Sequence, residues 1–122
     1  MVDPSSNLVS NMTNVFVYGT LMTGQPRNHV VNHLNRISCV LKDHKRIWPE
    51  ALGFPFIIKS EGNIVEGELY FDVSDELWKQ LDGIEGEGFL YHRIEIEVIN
   101  EENKKFDAYT YYPSNNLSSR FI

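Results

Sequence analysis

Two junctions in the sequence combine residue types that can do chemistry. The first is VFVYGTLM at residues 15–22, where an apolar run typical of a buried strand stops at Gly19. Thr20 follows, and then the apolar pair Leu21 and Met22. Surface turns are ordinarily built from polar residues, glycine and proline. An apolar turn at the end of a strand therefore marks a candidate site.

The second junction is LDGIEGEGFLYHR at residues 81–93, where acidic residues alternate with glycines between a predicted helix and a strand. Glu85 lies just beyond the predicted helix, where the negative end of the helix dipole raises a carboxyl pKa. A carboxyl group with a raised pKa suits a general base working near neutral pH. Asp82 and Glu87 are rival carboxylates, and a flexible acidic loop is the non-catalytic alternative.

Other kinds of site have little support in the sequence. There is no phosphate-binding loop and no HExxH motif. His29 and His33 are four residues apart on a predicted helix, but no third ligand is evident, so we predict no metal and no cofactor. Cys39, the only cysteine, lies in the apolar stretch RISCVL and is predicted to be a core residue. A lone cysteine excludes a disulfide framework and favours the reducing cytoplasm.

The length and the charge of the chain limit its domain organisation and the partners it can bind. The 122 residues suit a flexible tail at 1–13, in which Met12 is an alternative start, and a single domain at 14–122. The sequence has no secretory signal and no apolar run near the roughly 20 residues of a membrane span. The net charge is −6, and residues 61–102 hold most of the acidic residues. This balance argues against nucleic-acid binding, which needs a clustered basic surface.

The hydrophobic periodicity predicts five or six mostly antiparallel strands and two helices. The predicted strands are 14–18, 36–48, a short strand that follows a turn within 53–58, 63–71, 89–99 and 106–113. The predicted helices are 26–34 and 75–82, the second with Ser74 as N-cap and Gly83 as its stop. This pattern indicates an α+β fold. A small, strongly twisted sheet of this kind often closes into a partial barrel with helices packed outside.

Five stretches occur in an order that resembles the gamma-glutamylcyclotransferase-like (AIG2-like) family, which includes gamma-glutamylamine cyclotransferases. They are VFVYGTLM, GFPFI, VEGELYFDV, LDGIEGEGFLYHR and DAYTYY, and together they span residues 14–113. The resemblance implies a small barrel with flanking helices, which agrees with the strand count. It also implies an enzyme that cyclises the γ-glutamyl group of a small γ-glutamyl amine or peptide, releasing 5-oxoproline and a free amine.

The resemblance implies roles for residues of both junctions. Glu85 is the expected catalytic acid/base, and no cofactor is needed because the substrate's own α-amine is the nucleophile. The residues expected to bind the substrate are Tyr18, Gly19, Thr20, Leu21 and Tyr91. In this reading Gly19 leaves room for the ligand, and the backbone N–H groups of the turn bind its α-carboxylate.

Four further residues have both a functional and a purely structural interpretation. Tyr111 is expected to reach the cavity, with a core or rim tyrosine as the alternative. Arg93 is expected to pair with an acid on the neighbouring strand, and Arg27 and Asn28 to meet the substrate. Two other functions stay open: a module that binds a small carboxylate metabolite without turnover, and an interaction module with a vestigial cavity.

Overall fold

The computed structural model describes residues 13–50, 52, 54–86, 88 and 90–121. The predicted tail up to residue 12, including Met12, and the rival carboxylate Glu87 lie outside these residues. The strands are β1 (Thr13–Val17), β2 (Arg36–Ile47), β3 (Phe56–Val73), β4 (Tyr91–Ile99) and β5 (Lys105–Pro113), and the α-helices are α1 (Asp75–Glu85) and α2 (Asn115–Phe121). Thr13, assigned to the tail from the sequence, is the first residue of β1.

The five strands form a closed barrel in the order β1-β3-β2-β4-β5. Four of the five neighbouring pairs are antiparallel. The parallel pairing of Val15 on β1 with Tyr109 on β5 closes the ring. The α+β prediction is confirmed, and the sheet closes completely.

Two hydrophobic clusters lie on opposite sides of the barrel wall, because successive residues of a strand point to opposite faces. Phe16 on β1 and Tyr18 just after it join a cluster whose other buried members come from the strands, and this cluster fills the barrel and includes Cys39. Val15 and Val17 join a cluster that also contains residues of both helices. Cys39 is 3% exposed, so its prediction as a core residue is confirmed.

Strand β3 is one long strand where the sequence predicts two. It pairs with β2 over two stretches, Phe56–Lys59 and Ile64–Tyr70, and the register shifts between them. As β2 advances from Lys42 to His44, its partner on β3 changes from Ile64 to Lys59. The polar residues that suggested a break therefore form a bulge, stabilised by a hydrogen bond from the Gly62 backbone to the Asp43 carboxylate (3.0 Å).

Helix α1 begins where the sequence predicts and ends later. The Ser74 side chain accepts a hydrogen bond from the Leu77 backbone N–H, which confirms it as the N-cap. The predicted stop at Gly83 is wrong, because the helix ends at Gly86 in the left-handed conformation (φ 65°). The Gly86 N–H bonds to the Asp82 carbonyl, as is common at helix C-termini. Glu85 is therefore the last residue of the helix.

The other helix prediction is wrong. Residues 26–34 form consecutive turns with a short 3₁₀ segment, Asn28–Val30, closed by i→i+3 bonds such as Val31 N–H to the Asn28 carbonyl (3.0 Å). Their apolar side is buried as expected, at Val30 and Val31. Helix α2 was missed; its one local signal is Ser114, whose hydroxyl caps the Leu117 N–H (3.2 Å). Neither helix of the described chain is long and apolar enough to cross a membrane.

Candidate active site

A cavity of about 140 Å³ lies between the turn after β1, the residues that lead into β3, and the last turn of α1. Its lining residues are Phe16, Val17, Tyr18, Gly19, Thr20, Leu21, Arg27, Phe54, Pro55, Ile84, Glu85, Leu90, Tyr91 and Tyr111. All seven residues that the sequence predicts for the site are among them. Two junctions more than 60 residues apart in the chain therefore form two walls of one cavity.

Glu85 provides the only acidic side chain among the lining residues. The side chain is half-buried, and burial raises the pKa of its carboxyl from 4.5 to about 7. The positive charge of Arg27 acts in the opposite direction. The direction agrees with the expectation from the sequence, and the largest cause is the loss of hydration on burial.

Gly19 is required for a different reason from the one expected. A Cβ atom on Gly19 would lie 2.7 Å from the Cγ atom of Pro55, well inside van der Waals contact. The missing side chain thus lets the residues leading into β3 approach the turn closely. Gly19 therefore makes room for Pro55, and it also lines the cavity.

The turn after β1 is held through its carbonyl groups. The Gly19 carbonyl accepts from the Met22 N–H (3.0 Å), and the Thr20 carbonyl accepts from the Arg27 N–H (2.9 Å). The Leu21 carbonyl accepts from the Asn28 side chain (2.9 Å). Within the described part of the chain, the N–H groups of Thr20 and Leu21 have no hydrogen-bond acceptor. This turn therefore leaves two adjacent N–H groups for a ligand.

Three tyrosines line the cavity, and each hydroxyl donates its single proton within the protein. Tyr18 donates to the Tyr111 carbonyl (2.5 Å), Tyr91 to the Pro55 carbonyl (2.6 Å), and Tyr111 to the Asp82 carboxylate (2.6 Å). Burial raises the pKa of all three phenols. In this arrangement the three tyrosine hydroxyl protons are already engaged within the protein.

Asp82, the rival carboxylate, does not line the cavity. It accepts from Tyr111 and pairs with Arg93, whose Nη1 lies 3.5 Å from Oδ2 of Asp82. The ion pair described for Arg93 is thus with an acid on α1, whereas the sequence led us to expect an acid on a neighbouring strand. The Arg93 guanidinium also lies over the Trp78 ring, 4.4 Å from the centroid.

The two residues that we expected to meet the substrate, Arg27 and Asn28, differ in their positions. Arg27 lines the cavity and is exposed. Asn28 does not line it, and its side chain instead bridges the Leu21 carbonyl and the Tyr70 hydroxyl (both 2.9 Å). Among the described residues no group of three or more His, Cys, Asp or Glu side chains is arranged to hold a metal.

The sequence did not predict six of the lining residues: Phe16, Val17, Phe54, Pro55, Ile84 and Leu90. All six fall within the stretches VFVYGTLM, GFPFI and LDGIEGEGFLYHR. Their apolar character suggested core packing, and only the closed barrel brings them to the cavity.

The fold and the cavity define a small α+β barrel protein with a pocket built around one carboxylate and one turn of free N–H groups. The chain belongs to the family described as "Gamma-glutamyl cyclotransferase, AIG2-like", whose model matches residues 15–121.

Relatives and solved structures agree with this assignment at low identity. Protein AIG2 C of Arabidopsis thaliana is 29% identical over 113 aligned positions, covering 89% of this chain and 64% of that protein. The gamma-glutamylaminecyclotransferase of Rattus norvegicus is 27% identical, covering 71% of this chain and 64% of that protein. A solution structure from Arabidopsis thaliana superposes with a TM-score of 0.71 at 28% identity, covering 84% of this chain and 62% of that one. The chain spans 46% of the length of a relative from Methanocaldococcus jannaschii.

Proposed function

We propose that this protein is a γ-glutamyl cyclotransferase acting on a small γ-glutamyl amine or peptide. The α-amine of the γ-glutamyl group attacks its own γ-carbonyl, a five-membered lactam forms, and the bond to the leaving amine breaks. The products are 5-oxoproline and the free amine. Family membership and the names of relatives support this class of reaction.

The observation that carries the proposal is the environment of Glu85. Among the described residues it is the single acidic group on the cavity wall, and burial brings the pKa of its carboxyl to about 7. Near neutral pH both protonation states are then populated. The carboxylate can accept a proton from the substrate's ammonium, and the resulting acid can return it to the leaving amine.

The size of the pKa shift matters for the first proton transfer. The α-ammonium of a γ-glutamyl group stands beside a free carboxylate and has a pKa of about 9, so transfer to a carboxylate with a pKa of about 4.5 costs about 6 kcal/mol. With the carboxyl pKa at about 7 the cost falls to about 3 kcal/mol. The burial of Glu85 therefore removes about half of a barrier that a solvated glutamate would face.

The remaining tasks are to curl the substrate and to stabilise negative charge. Holding amine and carbonyl together in the right geometry is worth on the order of 7 kcal/mol. The free N–H groups of Thr20 and Leu21 suit the α-carboxylate or the developing oxyanion. Tyr18, Tyr91 and Tyr111 shape the walls, and the reaction needs no enzyme nucleophile, metal or cofactor.

The test is a Glu85→Gln variant assayed for 5-oxoproline release over a panel of γ-glutamyl amides and peptides. Glutamine keeps the size of the side chain and removes the acid/base function, so we expect turnover to fall by about 10²–10⁴-fold. Glu95→Gln, an exposed position on β4, is the matched control and is expected to keep full activity. Full activity in Glu85→Gln would rule out this mechanism.

The same panel separates catalysis from simple binding. A wild-type protein that binds γ-glutamyl compounds or small carboxylates and yields no 5-oxoproline over hours would be the binding module of the alternative hypothesis. Calorimetric titration on the compounds used in the assay supplies that measurement.

A further inference from the structure

One face of α1 carries three residues that all reach toward the barrel wall. Trp78, Asp82 and Glu85 are spaced i, i+4 and i+7, which places them in a row on one side of the helix. Glu85 lines the cavity at the end of this row. Asp82, one turn earlier, does not line the cavity and bonds to the barrel instead.

The barrel presents a matching pair of side chains to this row. Arg93 on β4 is directly opposite Tyr111 on β5 in the antiparallel ladder. Directly opposed residues project from the same face of a sheet. Arg93 and Tyr111 therefore stand side by side, and one carboxylate can bond to both.

Asp82 makes both of these contacts. One oxygen accepts from the Tyr111 hydroxyl at 2.6 Å, and the other lies 3.5 Å from the Arg93 guanidinium. The guanidinium is held in turn over the Trp78 ring, 4.4 Å from the centroid. The Trp78 ring lies edge-on to the Tyr109 ring at 5.7 Å.

Tyr111 also connects to the opposite wall of the cavity. Its backbone carbonyl accepts from the hydroxyl of Tyr18, the residue that precedes the Gly19 turn. Its side-chain hydroxyl donates to Asp82, three residues before Glu85. A single residue of β5 thus bonds to both walls, on either side of the space a substrate would occupy.

We propose that Tyr111, Asp82 and Arg93 form a positioning unit that fixes the last turn of α1 against the barrel and so keeps the Glu85 carboxyl facing the cavity. This inference rests on the proposed function of Glu85. In it Tyr111 acts through its bonds to the two walls and not as a proton donor to the substrate. Asp82 acts through Tyr111 and Arg93 and takes no part in proton transfer.

The variants Tyr111→Phe and Asp82→Ala test the unit. Phenylalanine keeps the ring and removes the bond to Asp82, and alanine removes both bonds of the carboxylate. We expect kcat for 5-oxoproline release to fall by about 10- to 100-fold with KM within about twofold, because a misplaced catalytic group weakens the chemical step. Asp82→Asn keeps an acceptor for the Tyr111 hydroxyl and should recover part of the loss.

A second readout does not depend on turnover. The ¹³C signal of the Glu85 carboxyl, followed by NMR against pH, reports its ionisation directly. The charged or titratable groups facing Glu85 are Arg27 from the loop, Tyr18 after β1, Tyr91 on β4 and Tyr111 on β5. Arginine stays charged, and the phenols, whose pKa values are raised, stay neutral between pH 5 and 9. The titration in that range therefore belongs to Glu85.

We expect the Glu85 midpoint to fall by about one pH unit in Tyr111→Phe and Asp82→Ala, because a loosened helix end admits water to the carboxyl. Tyr112→Phe is the matched control: it is the neighbouring tyrosine on β5, belongs to the barrel-interior cluster, and should leave both readouts unchanged. An unchanged Glu85 midpoint with unchanged kcat, or a raised KM alone, would overturn the positioning unit. Absence of 5-oxoproline from the wild type would overturn the proposed function, and the NMR titration would still decide the role of the unit.

Discussion

The two walls of the cavity are built in opposite ways. The turn after β1 ties down all three of its carbonyls and leaves the N–H groups of Thr20 and Leu21 to the cavity. The last turn of α1 satisfies its backbone within the helix and at Gly86, and gives the cavity a side chain, Glu85. One wall thus presents backbone dipoles and the other presents one titratable group.

This difference determines what each wall needs from the rest of the fold. Backbone groups keep their chemistry in any environment, so the turn needs only its shape, which Pro55 and Asn28 provide by contact and by hydrogen bonding. A carboxyl has the right chemistry only at the right pKa, so the helix wall needs burial. Variants of the turn should therefore act through shape, and variants at Glu85 through ionisation.

The largest effect is expected from Gly19→Ala. The added Cβ would lie 2.7 Å from Pro55 Cγ and 3.0 Å from Cδ, so the turn or the residues leading into β3 must move. We expect a loss of about 2–3 kcal/mol in the free energy of unfolding and a loss of substrate binding. Urea denaturation and the KM for 5-oxoproline release measure the two effects.

A second substitution shows whether the clash with Pro55 is the cause. In Gly19→Ala/Pro55→Ala the colliding ring atoms are gone, so the double variant should recover much of the stability lost in the single one. Gly83→Ala is the matched control: it lies within α1 with open space around its Cβ position, and helix propensity predicts a gain of about 0.5–1 kcal/mol. If Gly19→Ala were as well tolerated as Gly83→Ala, the close contact with Pro55 would have no energetic weight.

An intermediate effect is expected on the helix wall, as a pH-dependent difference in stability. The Glu85 carboxyl has a pKa of about 7 in the folded protein, against 4.5 for an ordinary glutamate. Between these values the folded state holds a proton that the unfolded state has released, so stability contributed by this group is lost as pH rises from 4.5 to 7. Glu85→Gln removes that loss. The free energy of unfolding of the variant, relative to that of the wild type, should therefore be about 1–3 kcal/mol more favourable at pH 8 than at pH 4.5.

Denaturant titrations of Glu85→Gln, Glu95→Gln and the wild type at several pH values measure this difference. Glu95 is exposed, so its variant should follow the wild type across the range. A constant gap between Glu85→Gln and the wild type from pH 4.5 to 8 would contradict the raised pKa. It would also remove the main support for Glu85 as the acid/base.

The elements that the sequence predicted well are those with strong local signals. Strand β1 has a continuous apolar run, and α1 has Ser74 as N-cap with buried Leu77, Trp78 and Leu81 at helical spacing. The errors lie where local signals compete with tertiary ones. Gly83 is a weak stop, since a helical glycine costs only about 1 kcal/mol, and the helix continues until Ile84 and Glu85 line the cavity.

The candidate site shows the same division. The seven expected residues meet at one cavity, six from the two junctions and Tyr111 from β5. The contacts that hold them in place were not predictable, because they depend on strand register. Arg93 pairs with Asp82 because the register of β4 and β5 places it beside Tyr111, which bonds to the same carboxylate. The close approach of Pro55 to Gly19 likewise needs the closed barrel. Local sequence patterns do not specify such contacts between residues distant in the chain.

The smallest effect is expected at Asn28, which supports the turn from behind. Its side chain donates to the Leu21 carbonyl and to the Tyr70 hydroxyl, both at 2.9 Å. Asn28→Ala should lower the free energy of unfolding by about 1 kcal/mol. Because the turn presents backbone groups, its loosening should raise KM while leaving kcat and the pH of half-maximal activity close to those of the wild type.

Asn63→Ala, which removes a side-chain bond to Ser60 in the exposed β3 bulge, is the control and should leave KM unchanged. A fall in kcat with a shifted pH profile in Asn28→Ala would mean that the turn also sets the ionisation of Glu85, and the division of labour between the two walls would then be wrong.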